Sequence, residues 1–442
     1  MVSSLYTSDL VVSIRAALDG HAVRRPRETA VADATGELTF SRLWRHARSQ
    51  AEATGPLQGR IVPIPATSTA SFIVAVTATW LAGGVPMPLD PKLPPSLRDT
   101  MARRASLGAH TCAPWKAVLS IAGGTYRPLI TGGEPPTVAR KAHALSLDSG
   151  AALFASPMYL NGPFEFALRH LLLGGTVVML DRFDTTQWAH VAATTEPTWT
   201  FLAPIQLQRL LDDLPPRALR TALAGTRTAV HSSSPCPPGL RDRLLNLVDP
   251  HVVAEFYGAA EYDGTLARAD EPELGAAPIP GADLRVVDGD RQPVPPGEIG
   301  VIEGRSTAGL TTHYAGEPCA GPDLWRTVGD RGSLGSNGRL TVCDVTTTGR
   351  AIVGGINVGL TRIHAVIAAH PAVASCTVTP LAHAEYGQVI TVRVTVREPL
   401  TGQALIDYCT ARLRPAERPH KIHIAEPGQN RTREGMPDAA AM

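Results

Sequence analysis

The stretch Phe256-Tyr257-Gly258-Ala259-Ala260-Glu261 reads as a strand that runs into a turn: two aromatic residues, a glycine, two alanines and an acid. Further along, Val328-Gly329-Asp330-Arg331-Gly332 sets an aspartate in a glycine-rich turn, an ordinary place for that residue. Outward from these segments, short β-rich runs at Arg60–Pro65, Gly175–Leu180, Asp283–Val287 and Ile299–Glu303 alternate with helical patterns at Leu43–Ala53, Ser71–Ala82 and Phe164–Leu172. This alternation predicts an α/β architecture with largely parallel sheets. From Leu171 to Leu180 a helix pattern stops at Gly174-Gly175 and a β-branched strand follows at once. Gly289–Gly297 is the polar, Gly/Pro-rich turn of a separate β subregion. After Val342 the pattern becomes a compact series of helix, strand, strand and helix reaching about Arg418, which predicts a small α+β domain over 344–442 behind a large domain over 1–343.

Composition narrows the function. A chain of 442 residues with 44% apolar content can fill one large core of about 300 residues and a smaller second one. Lys+Arg 41 against Asp+Glu 40 leaves no basic stripe for a polyanion, so nucleic acid is not an expected partner. The six cysteines lack the C-x-x-C spacing of a zinc or redox pair and read as thiols in a reducing, cytoplasmic compartment. His420 and His423, either side of Lys421, share one side of a helix turn but have no further ligands in register. Met1–Leu10 lacks the basic and apolar regions of a secretion signal. Phe72–Leu89, broken by glycines, threonines and prolines, falls short of the ~20 apolar residues that span a bilayer, so no membrane insertion is expected.

In order along the chain, several segments resemble the acyl-CoA ligase and non-ribosomal adenylation superfamily, which activates carboxylates as acyl-adenylates. They are Ala30–Phe40, Ala82–Pro91, Pro157–Pro163, Gly174–Val178, His231–Pro237, Tyr257–Glu261, Val328–Asp330, Gly354–Val358, His370–Val373 and Gly387-Gln388. Each is weak alone, and the order makes the set specific.

The resemblance implies roles residue by residue. Ser120–Ile130 would be the phosphate loop, with Gly123, Gly124, Thr125, Arg127 and Pro128 retained, Tyr126 standing where the family has glycine and Leu129 where it has lysine. The Tyr257 ring would stack on adenine, with Gly258, Ala259 and Ala260 alongside, and Glu261 would hold Mg²⁺. Ala260 replaces the usual threonine and loses its hydroxyl. Asp330 would accept both ribose hydroxyls, and the ribose arginine is Arg339 or Arg350. Tyr159, Leu160, Ser232 and Ser233 would line an apolar pocket for an aromatic or medium-length aliphatic acid, with Phe164 in the core. Gly354-Gly355 would line the entry of CoA or a carrier-protein thiol.

The catalytic lysine that bridges carboxylate and α-phosphate is replaced by Met436, after Gly435. Losing such a cation is worth about 3–4 kcal/mol, or 10²–10³ in rate. Arg431 and Arg433 are the nearest cations. The resemblance therefore implies an ATP/AMP- and Mg²⁺-dependent acid–thiol ligase with impaired adenylation. It leaves open a non-catalytic relative that binds a ligand or partner, and an enzyme like the ATP-dependent diazotases.

Overall fold

The computed structural model describes residues 9–105, 114–122, 125–132, 144–234, 236–271, 275–306, 311–319, 324–344 and 349–425. Its centre is a nine-stranded sheet. The strands Thr228–His231, Trp199–Leu202, Ala151–Phe154, Thr176–Met179 and Thr29–Asp33 lie side by side and parallel, each neighbour pair in register. Val253–Ala259 continues the parallel set beyond Thr228–His231, and antiparallel strands close both ends. The sheet is thus mixed, with parallel order confined to its middle, where helices cover both faces.

Local sequence explains the layers. In Ala70–Leu81 nearly every side chain from Phe72 to Trp80 is buried, because the helix is enclosed by its neighbours rather than lying on a surface. It ends where Gly83 takes a positive φ of 76° that a side chain would resist. Asn161–Leu172 packs Phe164 against Phe72, ring centroids 5.8 Å apart, and Phe166 edge-on to Trp199 at 5.5 Å. Phe164 is therefore a core residue. Burying each such ring stabilises the core by about 1.5–3 kcal/mol.

A four-stranded antiparallel sheet built on Ala282–Val287 and Gly300–Ser306 forms the β subregion. The third structure of the large domain is the sheet Pro114–Ala122, Thr125–Gly132 and Thr311–Tyr314. Beyond Leu340–Asp344, the strands Arg350–Val353, Ile356–Gly359, Val373–His383, Gly387–Val396 and Lys421–Ala425 form a five-stranded sheet. The helices Leu360–Ala368 and Gly402–Thr410 pack on it around Ile363, Ile367, Leu405 and Val394. His423 lies in a strand, not a helix turn.

Two expectations are corrected. Cys319 is disulfide-bonded, whereas Cys236, Cys343, Cys376 and Cys409 are free; short sequence spacings reveal nothing about cysteines brought together over long range. Ser120–Ile130 is a ladder, not a loop: Ala122 pairs with Thr125, Ser120 with Arg127 and Val118 with Leu129. Gly123 and Gly124 lie outside the described residues. The other edge of the second strand pairs with Thr311–Tyr314, setting Leu129 opposite Tyr314. Leu129 is wholly buried.

Leu129→Lys should therefore cost about 3 kcal/mol or more of stability in urea unfolding, because an ammonium would enter an apolar site. Leu129→Met should stay within about 1.5 kcal/mol. A lysine variant as stable as its parent would contradict the placement of this strand.

Candidate active site

Three segments meet at Asp330. The Tyr257 hydroxyl donates to its Oδ2 at 3.0 Å and the Arg350 Nη2 to its Oδ1 at 2.8 Å. Tyr257 also shares a 2.9 Å hydrogen bond with the Tyr262 hydroxyl. Burial first, then the proximity of Tyr262 and Asp330, raises the Tyr257 phenol well above its usual range, so it stays a donor. Asp330 is itself 4% exposed. The structure thus brings Tyr257, Asp330 and Arg350 together. Arg350 reaches Asp330, whereas Arg339 turns to the carbonyl of Gly275 at 3.1 Å and to Glu271.

Tyr257 is set by a residue that its own segment does not reveal. Gly264 crosses so close to it that a β-carbon would lie 1.7 Å from the Tyr257 carbonyl oxygen. The pairing slips by a residue between Tyr257 and Ala259 at the same place. Gly258 is exposed, Ala259 packs toward the β subregion, and Ala260 packs toward the main core.

Glu261 is 5% exposed. Its Oε1 accepts from Ser120 at 2.5 Å and from Tyr314 at 2.6 Å, and its carbonyl accepts from Thr312 at 2.7 Å. The carboxylate is therefore tied to the edge of the Ser120 hairpin. Arg127, on the same hairpin, bonds Glu317 at 2.7 Å and stands 4.3 Å over the Tyr314 ring. Among the described residues no group of three or more His, Cys, Asp or Glu side chains converges as a metal site. Glu261 would be the chain's own ligand to a magnesium ion, which usually takes its other oxygens from phosphates and water.

The apolar side of the cleft has its own geometry. Leu160 precedes the helix Asn161–Leu172 and is half-buried. A β-carbon on Gly162 would lie 3.7 Å from Phe166 and 3.8 Å from Phe201, and Phe166 meets Phe256 edge-on at 5.5 Å. Tyr159 points elsewhere: burial and the neighbouring Asp90 raise its phenol, placing it beside the end of Val85–Leu89. Ser232 is half-buried, and Ser233 adopts φ 82°, a left-handed backbone that costs a side chain about 1 kcal/mol. The small domain seats Gly355, φ 80°, where its β-carbon would be 3.3 Å from that of Ala203 and 3.5 Å from that of Ser233. Gly354 abuts Tyr386 in the same way at 3.5 Å. Gly355 of the small domain therefore meets the large domain at Ala203 and Ser233, while Gly354 packs on Tyr386 of its own domain. Met436 lies outside the described residues.

The family's own profiles match in the same order. Residues 137–314 match the AMP-binding enzyme family and residues 362–435 the AMP-binding enzyme C-terminal domain, together more than half of the chain. The chain belongs to the adenylate-forming superfamily. Among relatives, a 4-chlorobenzoate–CoA ligase of Arthrobacter is 27% identical over 283 residues, 60% of this chain. The alignment spans only 52% of that ligase, about half its length. A probable 2-succinylbenzoate–CoA ligase of Mycobacterium tuberculosis is 25% identical over 388 residues, 83% of this chain and 93% of its own. The fold matches a mutant o-succinylbenzoate CoA synthetase from Bacillus subtilis with TM-score 0.78 at 19% identity, covering 92% of this chain and 94% of that one. An amide bond synthetase from Marinactinospora thermotolerans gives 0.76 at 20%, covering 93% and 95%.

Behind Ser232, burial holds the His231 imidazole down at about 4, assisted by Arg241. A histidine ordinarily titrating at about 6.5 is thus neutral when folded and takes up its proton on unfolding. Its contribution is whole above about pH 6.5 and is lost as pH falls toward 4, by about 2–3 kcal/mol. Unfolding free energies of the parent and His231→Gln at neutral and acid pH should converge on acidification by that amount. Parallel pH dependences would show that this ring is not the buried neutral group.

Proposed function

We propose that this chain handles an apolar or aromatic acyl-adenylate in the cleft between Tyr257, Asp330 and Ser233, and passes the acyl group to a thiol entering along Gly354-Gly355. The observation that carries this reading is the seat of Gly355 against Ala203 and Ser233, together with the Tyr257–Asp330 hydrogen bond. CoA is the thiol suggested by the relatives, and a carrier-protein thiol has the same reactive end. Leu160 and Phe256, backed by the buried Phe166 and Phe201, would supply an apolar wall, and none of these side chains is an acid that would anchor an α-amine, so an aryl or alkyl acid suits it better than an amino acid.

The nucleoside would be held by the Tyr257 ring and the Asp330 carboxylate, with Arg350 orienting that carboxylate. Magnesium, brought with the phosphates, would be met by Glu261. Adenylation by this chain would be impaired, because Leu129 and Met436 stand where the resemblance implies lysines and Ala260 where it implies threonine. The alternatives of a purely structural relative or a diazotase have no separate geometric support.

Calorimetric titration is the test. AMP should bind, ATP should bind no more tightly than AMP, and Asp330→Ala should weaken AMP by about 10–100-fold, the loss of hydrogen bonds to a charged acceptor. Absence of AMP binding by the parent chain, or an Asp330→Ala variant with undiminished affinity, would remove this reading.

A further inference from the structure

A buried ion-pair network fastens the small domain to the hairpin that faces the phosphate side of the cleft. At its centre the Glu417 carboxylate has no exposed surface. Its Oε1 accepts from the Tyr126 hydroxyl at 3.0 Å and from Arg362 Nε at 3.2 Å, and its Oε2 accepts from the Arg414 backbone N–H at 2.9 Å. The Arg414 guanidinium sits 4.8 Å over the Tyr126 ring and donates to Asp90 at 3.1 Å. Tyr126, Arg414 and Asp90 are each no more than 6% exposed. Tyr126 and Asp90 belong to the large domain, and Arg362, Arg414 and Glu417 to the small one. Two acids meet two arginines, so the network is balanced in charge, with Arg414 Nε alone of the named donors left with an ion-pair contact to Glu417 rather than a hydrogen bond.

Two consequences follow for the ligand. The face of the hairpin that carries Tyr126 is covered by the turn Pro415–Glu417, and its backbone groups are spent on the ladder Ser120–Arg127 and Ala122–Thr125. A polyphosphate placed there would face a buried carboxylate. The nucleoside side, by contrast, keeps Tyr257, Asp330 and Arg350 together in one hydrogen-bonded cluster. A ligand with one phosphate suits this cleft and one with three does not.

Resting on the acyl-transfer reading above, we infer that this chain takes its acyl group as a preformed acyl-adenylate. A separate adenylating reaction must supply it, and the contacts of Tyr126 and Asp90 with Glu417 and Arg414 hold the small domain where Gly355 meets Ser233. In the step itself the thiol sulfur bonds to the acyl carbon, the bond from that carbon to the phosphate oxygen breaks, AMP leaves with the electron pair, and the thiol proton passes to solvent. Nothing is oxidised or reduced.

The experiment supplies the full chain with benzoyl-AMP, 4-chlorobenzoyl-AMP or octanoyl-AMP and CoA or pantetheine, and separately with the three free acids, MgATP and the same thiols. The expected result is thioester from at least one adenylate at least about a hundredfold faster than from its acid with ATP, the deficit left by absent cations. Carboxylate-dependent pyrophosphate release matching the transfer rate would overturn the inference while leaving the family reading intact. AMP binding without transfer from any adenylate would overturn it as well. Failure to bind AMP at all would instead defeat the proposed function on which it rests.

The fastening is tested by Tyr126→Phe and Asp90→Asn. Each should speed amide exchange at Arg414 and Glu417 roughly tenfold, the effect of losing one buried hydrogen bond. Each should also slow transfer several-fold with AMP affinity unchanged. Parental exchange and parental transfer in both variants would show that these contacts do not position the small domain.

Discussion

One carboxylate joins three sheets. Asp330 sits in the turn before Arg331–Leu334, Tyr257 is on the strand next to the parallel centre of the large sheet, and Arg350 opens the first strand of the small domain. Removing either partner would leave a buried carboxylate with an unmet need, which is far costlier than the net value of one hydrogen bond. The same arrangement ties the large sheet, the β subregion and the small domain to one buried acid, so none of the three can shift alone without disturbing it.

The order of motifs and the α/β class were legible because they rest on local signals: glycine pairs, turn prolines and β-branched runs. Tyr257 and Asp330 were legible for the same reason, each sitting in a short segment of distinctive composition. The destination of Tyr126 was not. Its partner Glu417 lies 291 positions away in a turn that carries no motif, and no local pattern encodes such a meeting. The same holds for Ser120 and Tyr314, which orient Glu261 from two other strands. Gly264 had a readable signal in principle, a glycine interrupting a strand, which often marks close approach of another backbone. Arg339 and Arg350 could not be separated before the fold, because only the path of the chain across the hinge decides which one faces Asp330.

Tyr159 illustrates how position in a motif can mislead about direction. It directly precedes Leu160, yet its hydroxyl serves Asp90 rather than the apolar wall. Asp90 also accepts from the Lys92 backbone N–H at 2.8 Å, which holds the turn after Val85–Leu89. A tyrosine there completes the acid's surroundings while its ring packs beside the main core. Nearby, Lys116 is 1% exposed and bonds Asn161 and Glu165, with Arg169 on the other oxygen of Glu165. Burial lowers the Lys116 ammonium, and Glu165 opposes that effect. This cation is enclosed under the helix Asn161–Leu172 and bound to its side chains, which makes it an architectural group of the hairpin.

The cations around the Ser120 hairpin are already paired within the protein. A polyphosphate needs cations that are not already committed, or a compact ammonium able to follow it. Here Arg127 is engaged by Glu317, and Arg362 and Arg414 are engaged by Glu417 and Asp90. Separating Arg414 and Arg362 from Glu417 and Asp90 would leave a buried acid unpaired, at a cost of several kcal/mol, whereas the part-exposed Arg127–Glu317 pair holds its arginine only weakly. Tyr126 and Leu129 both pack this hairpin: Leu129 is wholly buried within it, and Tyr126 adds a hydroxyl that donates to Glu417, so the same strand that fills the hairpin's interior also holds the small domain against it.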